Sequence, residues 1–159
     1  MLETRRYIVN RLTRADAPRL EEILGDAQVM EHLETPFTRE RVELFLQEAA
    51  LGAVPLVYAV RERNGGLIGH AIFHLYDDSG AYEIGWVLDR AAWGQGCASE
   101  LTEAFLQYAR EKEIPALVLE CEPGQEVTRH LAEKFGFSFR GTDDGLAVYR
   151  REMALQQAQ

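Results

Sequence analysis

Hydrophobic residues recur along this chain with two different periods, and the switches between them mark its elements. Residues 6–12 (RYIVNRL) read as a first strand. Asp16 is placed to cap a short helix with Pro18 in its first turn, where a missing N–H costs nothing. Leu20, Ile23 and Leu24 form its apolar side and Gly25 its stop. A second helix starts near Thr38, because Val42, Phe45, Leu46, Ala49 and Ala50 fall at i, i+3, i+4, i+7 and i+8. The period then drops to two. Residues 56–61, 67–76 and 81–88 are strand-like runs, separated by Arg-Asn-Gly-Gly at 63–66 and Asp-Asp-Ser-Gly at 77–80. Both separators carry turn chemistry, so the spacing predicts an antiparallel meander.

The helical period returns after Gly96, with Leu101, Ala104, Phe105, Tyr108 and Ala109 on one face. A short buried strand is expected at 116–120. A helix over 125–134 follows, with Val127, His130, Leu131 and Phe135 expected to point inward. Two closing strands lie near 137–141 and 146–150, and residues 154–159 are expected to be a frayed tail. The predicted order is β-α-α-β-β-β-α-β-α-β-β, one α+β domain over residues 1–153. Only the stretch from strand 81–88 through a helix to strand 116–120 has the form of a parallel crossover, which argues against a doubly wound sheet.

A chain of 159 residues suits one domain. A domain of about this size buries roughly 70% of its unfolded surface, enough for a core without disulfides. No apolar run approaches the ~20 residues that span a bilayer, and MLETRRYIVNRL has no apolar signal core. A cytoplasmic location is therefore expected, with no membrane partner. Cys97 and Cys121 make neither a disulfide framework nor a metal knuckle, so reduced thiols and no metal are expected. His70 and His74 share a strand face, but four residues along a strand is roughly 13 Å, too far for one metal. The net charge of −9, from 17 basic and 26 acidic residues, repels nucleic-acid phosphates and favours cationic partners. No DNA partner is expected, and the chain is expected to act as a monomer or homodimer.

Gly94 and Gly96 stand at a loop–helix junction. Glycine lets another molecule approach the backbone closely, and the first turn of a helix has free N–H groups with a partial positive charge. Gly94, Gln95, Gly96, Cys97, Ala98 and Ser99 can thus point several N–H groups at a diphosphate, and Ser99 can add a hydroxyl. Two glycines are also ordinary loop punctuation. A dinucleotide fingerprint fits less well. Ser99 replaces its third glycine, and Asp-Arg-Ala-Ala-Trp separates Leu88 from Gly94, where that fold runs almost directly from strand to glycine. No Gly-Lys-Ser/Thr follows, which excludes a nucleoside-triphosphatase loop.

Glu83-Ile84-Gly85-Trp86, then Trp93-Gly94-Gln95-Gly96-Cys97-Ala98-Ser99-Glu100, resembles the pyrophosphate-binding signature of the GNAT acetyltransferase superfamily. It is most similar to the branch of ribosomal-protein N-terminal alanine acetyltransferases. Residues 126–137 (EVTRHLAEKFGF) resemble that family's late helix. This chain departs from the pattern at Ala91, where the superfamily has Gln or Arg, with Arg90 one place off as the candidate in its stead. It has Gln125 and Thr128 where the branch has Asn and Ser, and Ala132 where many members have a general-acid tyrosine.

The resemblance implies a GNAT fold, with a mixed, mostly antiparallel central sheet flanked by helices, and acetyl-CoA as cosubstrate. Its pyrophosphate would lie on the N–H groups from Gly94 to Ser99, with Trp93 anchoring the loop. Its pantetheine would pair with backbone groups of Trp86, Val87 and Leu88 between that strand and 116–120, as an added strand does. Gly85 suits a bulge around the thioester. Gln125 and Thr128 belong to the same cofactor site, and Thr128 is placed to hydrogen-bond the sulfur.

The implied reaction moves an acetyl group to an amine by direct attack in a ternary complex. An α-amine of pKa ≈ 7.7–8.0 is about a tenth neutral at pH 7, whereas a lysine-type amine needs about 4–5 kcal/mol of help. Glu83 is the candidate base, directly or through water; the alternative is that it binds a substrate cation or pairs with an arginine. Backbone N–H groups near Val87 or Leu88 would hold the oxyanion. His130 is expected in the core or at the cofactor's edge. Cys97 is either a thiol activated by the helix N-terminus or a small residue beside phosphate. The acceptors expected are an amine-bearing small molecule or a protein N-terminus, with Glu31, His32 and Glu34 as candidate contacts. The second function class is an acyl-CoA-binding module of the same fold without turnover.

Overall fold

A computed structural model describes residues 1–154. Its elements are β1 (Leu2–Glu3), β2 (Tyr7–Asn10), α1 (Ala17–Leu24), α2 (Arg39–Phe45), β3 (Val57–Glu62), β4 (Leu67–Leu75), β5 (Tyr82–Leu88), α3 (Cys97–Glu111), β6 (Ala116–Cys121), α4 (Glu126–Lys134), β7 (Ser138–Asp143) and β8 (Leu146–Glu152). The strands hydrogen-bond in the order β1-β2-β3-β4-β5-β6-β8-β7. β5 and β6 run parallel, at Tyr82↔Leu117 and Glu83↔Val118. The pairs β1–β2, β2–β3, β3–β4, β6–β8 and β7–β8 are antiparallel. The expected α+β architecture is thus present. One strand is added to the expected order. The amide of Thr4 donates to the Tyr7 carbonyl at 2.8 Å, and the amide of Tyr7 to Thr4 Oγ1 at 2.9 Å, which turns Leu2 and Glu3 back onto β2. Part of the expected tail, 155–159, lies outside the described residues. No helix among the described residues is long and apolar enough to cross a membrane.

The chain divides into two compact units. The first comprises residues 1–73 with 86–98. Its core buries Leu20, Ile23 and Leu24 of α1 and Val42 of α2 with Leu46, Val57, Ala59 and Val87. After α2 the helix widens to a π turn at Leu46–Ala50, which keeps Leu46 and Ala50 on the buried side. Asp16 precedes α1, but its carboxylate makes no cap bond to that helix. Instead Oδ2 accepts from the Thr13 amide at 2.8 Å, and both oxygens accept from Arg61 at 2.8 Å. An almost fully buried carboxylate needs a paired cation, and a two-pronged guanidinium supplies it better than two exposed amides.

The second unit comprises residues 74–85 and the described residues from 99 onward. Leu101, Phe105 and Ala109 of α3 are fully buried, as the helical pattern predicts, and so are Leu117, Tyr149 and Ala132. α4 corrects the expected inward face. Val127 is 84% exposed, and His130 is exposed rather than part of the core. The buried stripe passes through Thr128, Leu131, Ala132 and Phe135, which lie within one narrow arc of the helix. His130 points nearly opposite to it.

Candidate active site

β5 hands the chain to α3 through a loop whose shape is fixed from several sides. The Asp89 amide donates to the Ile68 carbonyl at 2.8 Å, and Arg19 Nη2 donates to Asp89 Oδ2 at 2.6 Å. The amides of Ala92 and Trp93 close a short 3-10 turn onto Asp89 and Arg90. Trp93 is half exposed, and its indole N–H donates to the Leu88 carbonyl at 3.0 Å. Gln95 Nε2 donates back to the Ala91 carbonyl at 2.7 Å.

Gly94 and Gly96 both adopt left-handed conformations, φ 73° and 77°, immediately before α3 begins at Cys97. Other L residues occupy that region at a cost of roughly 1–2 kcal/mol each. Both glycines are exposed, and nothing lies within 4 Å of where a side chain would start at Gly94. At Gly96 the nearest atom is Arg6 Nη2, 3.5 Å from that point. Arg6 and Gln95 also line a cavity of about 550 Å3 with Arg5, Arg19 and Arg63. Glu62 and Asp89 share that lining, so four arginines stand against two carboxylates, a local excess of positive charge in a chain of net charge −9. An open backbone nest, a helix N-terminus and a neighbouring guanidinium together fit a diphosphate.

The other predicted cofactor residues are distributed as follows. Trp86, Val87 and Leu88 form the end of β5. Cys97 is buried, whereas Ala98 and Ser99 are partly accessible in the first turn of α3. The guanidinium of Arg90 is held by Asp26 Oδ2 and Gln28 Oε1, both at 2.5 Å. Gln125 Oε1 accepts from the Glu122 amide at 3.0 Å, ordering the entrance to α4, on which Thr128 is half-buried.

The second unit holds the titratable cluster. Glu83 Oε2 lies 3.4 Å from His74 Nε2, and the two side chains are only 18% and 26% exposed. The hydrogen bond to Glu83, more than any other influence, raises the His74 pKa above its ordinary value, against the opposing effect of burial. Tyr76 donates its hydroxyl to Glu120 Oε1 at 2.7 Å. That bond, with burial and the negative charge nearby, pushes the phenol up to about 12. Tyr76 is therefore a hydrogen-bonding group at neutral pH and a poor proton donor. Both cysteines are free and buried, and burial raises the Cys121 thiol.

Two features here were not singled out from sequence. The alternation showed that His74 shares a face with His70, but not that Glu83 stands beside it, since register between neighbouring strands is invisible in one strand's pattern. In the sequence Gly69 is one residue of the strand run 67–76. In the structure an added Cβ there would lie 2.1 Å from the Val87 carbonyl oxygen. The β3–β4 register jumps from Val60↔Gly69 to Arg61↔Leu67, so Ile68 is an extra residue in β4, a bulge beside the end of β5.

The pattern described as "Acetyltransferase (GNAT) domain" matches residues 6–138. The "Uncharacterized N-acetyltransferase YnaD" of Bacillus subtilis (strain 168) is 26% identical over 142 residues, covering 88% of this chain and 84% of that protein. The crystal structure of a GNAT-family acetyltransferase from Bacillus anthracis superposes with a TM-score of 0.85 at 24% identity, over 96% of this chain and 98% of that one. Spermidine N-acetyltransferase from Vibrio cholerae, solved in complex with CoA and spermine, superposes with a TM-score of 0.74 at 16% identity, over 92% and 95% of the two chains. At such identities the two structures bear on the fold, and the matched pattern carries the family. With its open glycine loop, and with most of its length inside that pattern, the chain belongs to the GNAT family of acetyl-CoA-dependent acetyltransferases.

Proposed function

We propose that this protein transfers the acetyl group of acetyl-CoA to the primary amine of a cationic small molecule or a peptide N-terminus, by direct attack in a ternary complex. The observation that carries this reading is the open, left-handed pair Gly94 and Gly96 at the start of α3, joined through β5 to the partly buried carboxylate of Glu83. The N–H groups from Gly94 to Ser99, with the charge of Arg6, hold the diphosphate. Backbone groups of Trp86, Val87 and Leu88 pair with the pantetheine amides and orient the thioester. The bound cosubstrate contributes an activated acyl carbon. Glu83 takes a proton from the acceptor ammonium, and N–H groups near Val87 or Leu88 hold the oxyanion of the tetrahedral intermediate. Thr128 hydrogen-bonds the leaving sulfur.

The acceptor class rests on charge. Glu83, Glu120 and Asp143 all act on the phenol of Tyr76, a concentration of negative charge that attracts an ammonium. A related fold in Vibrio cholerae carries the name of a spermidine acetyltransferase, which makes polyamines one acceptor to try. The sequence motif's likeness to the ribosomal-protein alanine acetyltransferases makes an alanine-led peptide the other.

Incubation with acetyl-CoA and a panel containing spermidine, an alanine-led peptide, an amino sugar and an aminoglycoside, read by thiol release, tests the proposal. Release with any of these supports a transferase and names its acceptor class. Tight binding of acetyl-CoA without release across the panel would instead make the chain a binding module.

A further inference from the structure

His74 Nδ1 lies 2.9 Å from the Leu75 carbonyl oxygen. A carbonyl only accepts, so Nδ1 carries the hydrogen, and in the neutral ring Nε2 bears a lone pair. That lone pair faces Glu83 Oε2 at 3.4 Å. An ionised carboxylate offers only acceptors as well. Two acceptors facing each other are satisfied by one added proton, and by nothing else in the pair.

We propose that His74 and Glu83 work as one proton-holding unit, in which a single proton between Nε2 and Oε2 gates the ability of Glu83 to deprotonate the acceptor, and His74 passes the proton on to water. The inference rests on the reading of Glu83 as base. His74 acts through Glu83 and is a positioning and relay residue. Charge also reaches His74 from β6, and charged groups of β7 and β8 act on its neighbours. Glu120 of β6 adds negative charge that also favours the protonated ring. Tyr76 ties down one oxygen of Glu120. Asp143 of β7 contributes at Tyr76. Arg150 of β8 is engaged by Glu152 at 2.7 Å and Asp77 at 3.9 Å. The balance around the pair is therefore acidic, which agrees with a ring that holds its proton to higher pH than free imidazole.

The proton balance closes. One N–H bond of the ammonium breaks, its electron pair stays on nitrogen, and the proton forms an O–H bond on Glu83. It then moves to His74 Nε2 and from the partly exposed ring to water. The nitrogen lone pair attacks the acetyl carbon. When the tetrahedral intermediate collapses, the C–S bond breaks, a second N–H proton is released, and a proton ends on sulfur. The products are amide, thiol and one proton in solution.

Two measurements on the full chain test this. The imidazole NMR titration of His74, assigned by its loss in His74→Gln, is expected to lie above the ordinary imidazole value and to fall back toward it in Glu83→Gln. A His74 titration that is the same in both proteins overturns the shared proton. With the amine from the panel that turns over best, kcat/KM is expected to rise with pH through the His74 midpoint. His74→Gln is expected to lose that limb and about tenfold of kcat, with KM for acetyl-CoA within about twofold of wild type. A variant that is slower but keeps the wild-type midpoint overturns the gate and leaves His74 a structural role. If no amine in the panel turns over, it is the base reading that falls, and the NMR titration alone decides whether the proton is shared.

Discussion

The backbone of Gly69 on β4 presses against the Val87 carbonyl on β5 so closely that a methyl group at Gly69 would lie 2.1 Å from that oxygen and 3.0 Å from the Leu88 Cα. The obstructing atoms are backbone, which cannot rotate away. The same few residues of β5 are those proposed to pair with pantetheine. Gly69→Ala is expected to destabilise the fold by about 1–3 kcal/mol or more, which lowers Tm by at least about 4 °C. It is also expected to weaken acetyl-CoA binding, because Val87 must shift. Differential scanning fluorimetry with and without acetyl-CoA checks both, and an unchanged Tm would show that β5 yields easily there.

Glu83→Gln keeps the shape of the side chain and removes its basicity. Turnover is expected to fall by at least about tenfold while acetyl-CoA affinity stays within about twofold. Turnover like that of wild type would leave Glu83 no role as base.

The proposed phosphate loop has two separable parts. Gly96→Glu places a charged side chain at φ 77°, beside the proposed diphosphate, and is expected to abolish acetyl-CoA binding in calorimetry. Arg6→Ala leaves the loop backbone intact and removes one neighbouring charge. It is expected to weaken binding several-fold, by a factor that shrinks as salt is raised. Equal affinities of Arg6→Ala and wild type at low salt would place the diphosphate elsewhere.

His70 is buried against Phe45, ring centroids 5.0 Å apart, and its Nδ1 has no hydrogen-bond partner. Burial lowers its pKa from 6.5 to about 4. The unfolded chain therefore binds this proton more readily than the folded one. Full stability holds above the unfolded value, and of the order of 3 kcal/mol is lost as pH falls from about 6.5 toward 4. His70→Leu, which fills the site without a titratable group, is expected to flatten that acid limb in urea titrations at a series of pH values. An acid limb as steep as in wild type would assign it to other groups.

What could be seen in the sequence was whatever the chain specifies locally. Leu20, Ile23 and Leu24, the α2 stripe, the α3 stripe and the turn glycines need only nearest neighbours to be read, and they fold as their spacing dictates. The loop glycines were legible for the same reason. The sequence points to the wrong face of α4 because Val127 and Leu131, four apart and both apolar, suggest a stripe that the buried Ala132 displaces. Asp16 looked like a cap until Arg61, forty-five positions away, claimed its carboxylate. The His74–Glu83 pair and the Gly69–Val87 contact depend on which strands lie side by side and in what register, which no single segment records.

Cys97 is 2% exposed and Cys121 is 4% exposed, and burial raises the thiol of Cys121. A protein that handles an activated acyl sulfur risks losing the group to its own nucleophiles, since thiol–thioester exchange is chemically easy for a thiolate. Here both native sulfurs are withdrawn from solvent. A thioester arriving from solvent therefore meets neither cysteine at the surface, and exchange with a native thiol would require the fold to open around it.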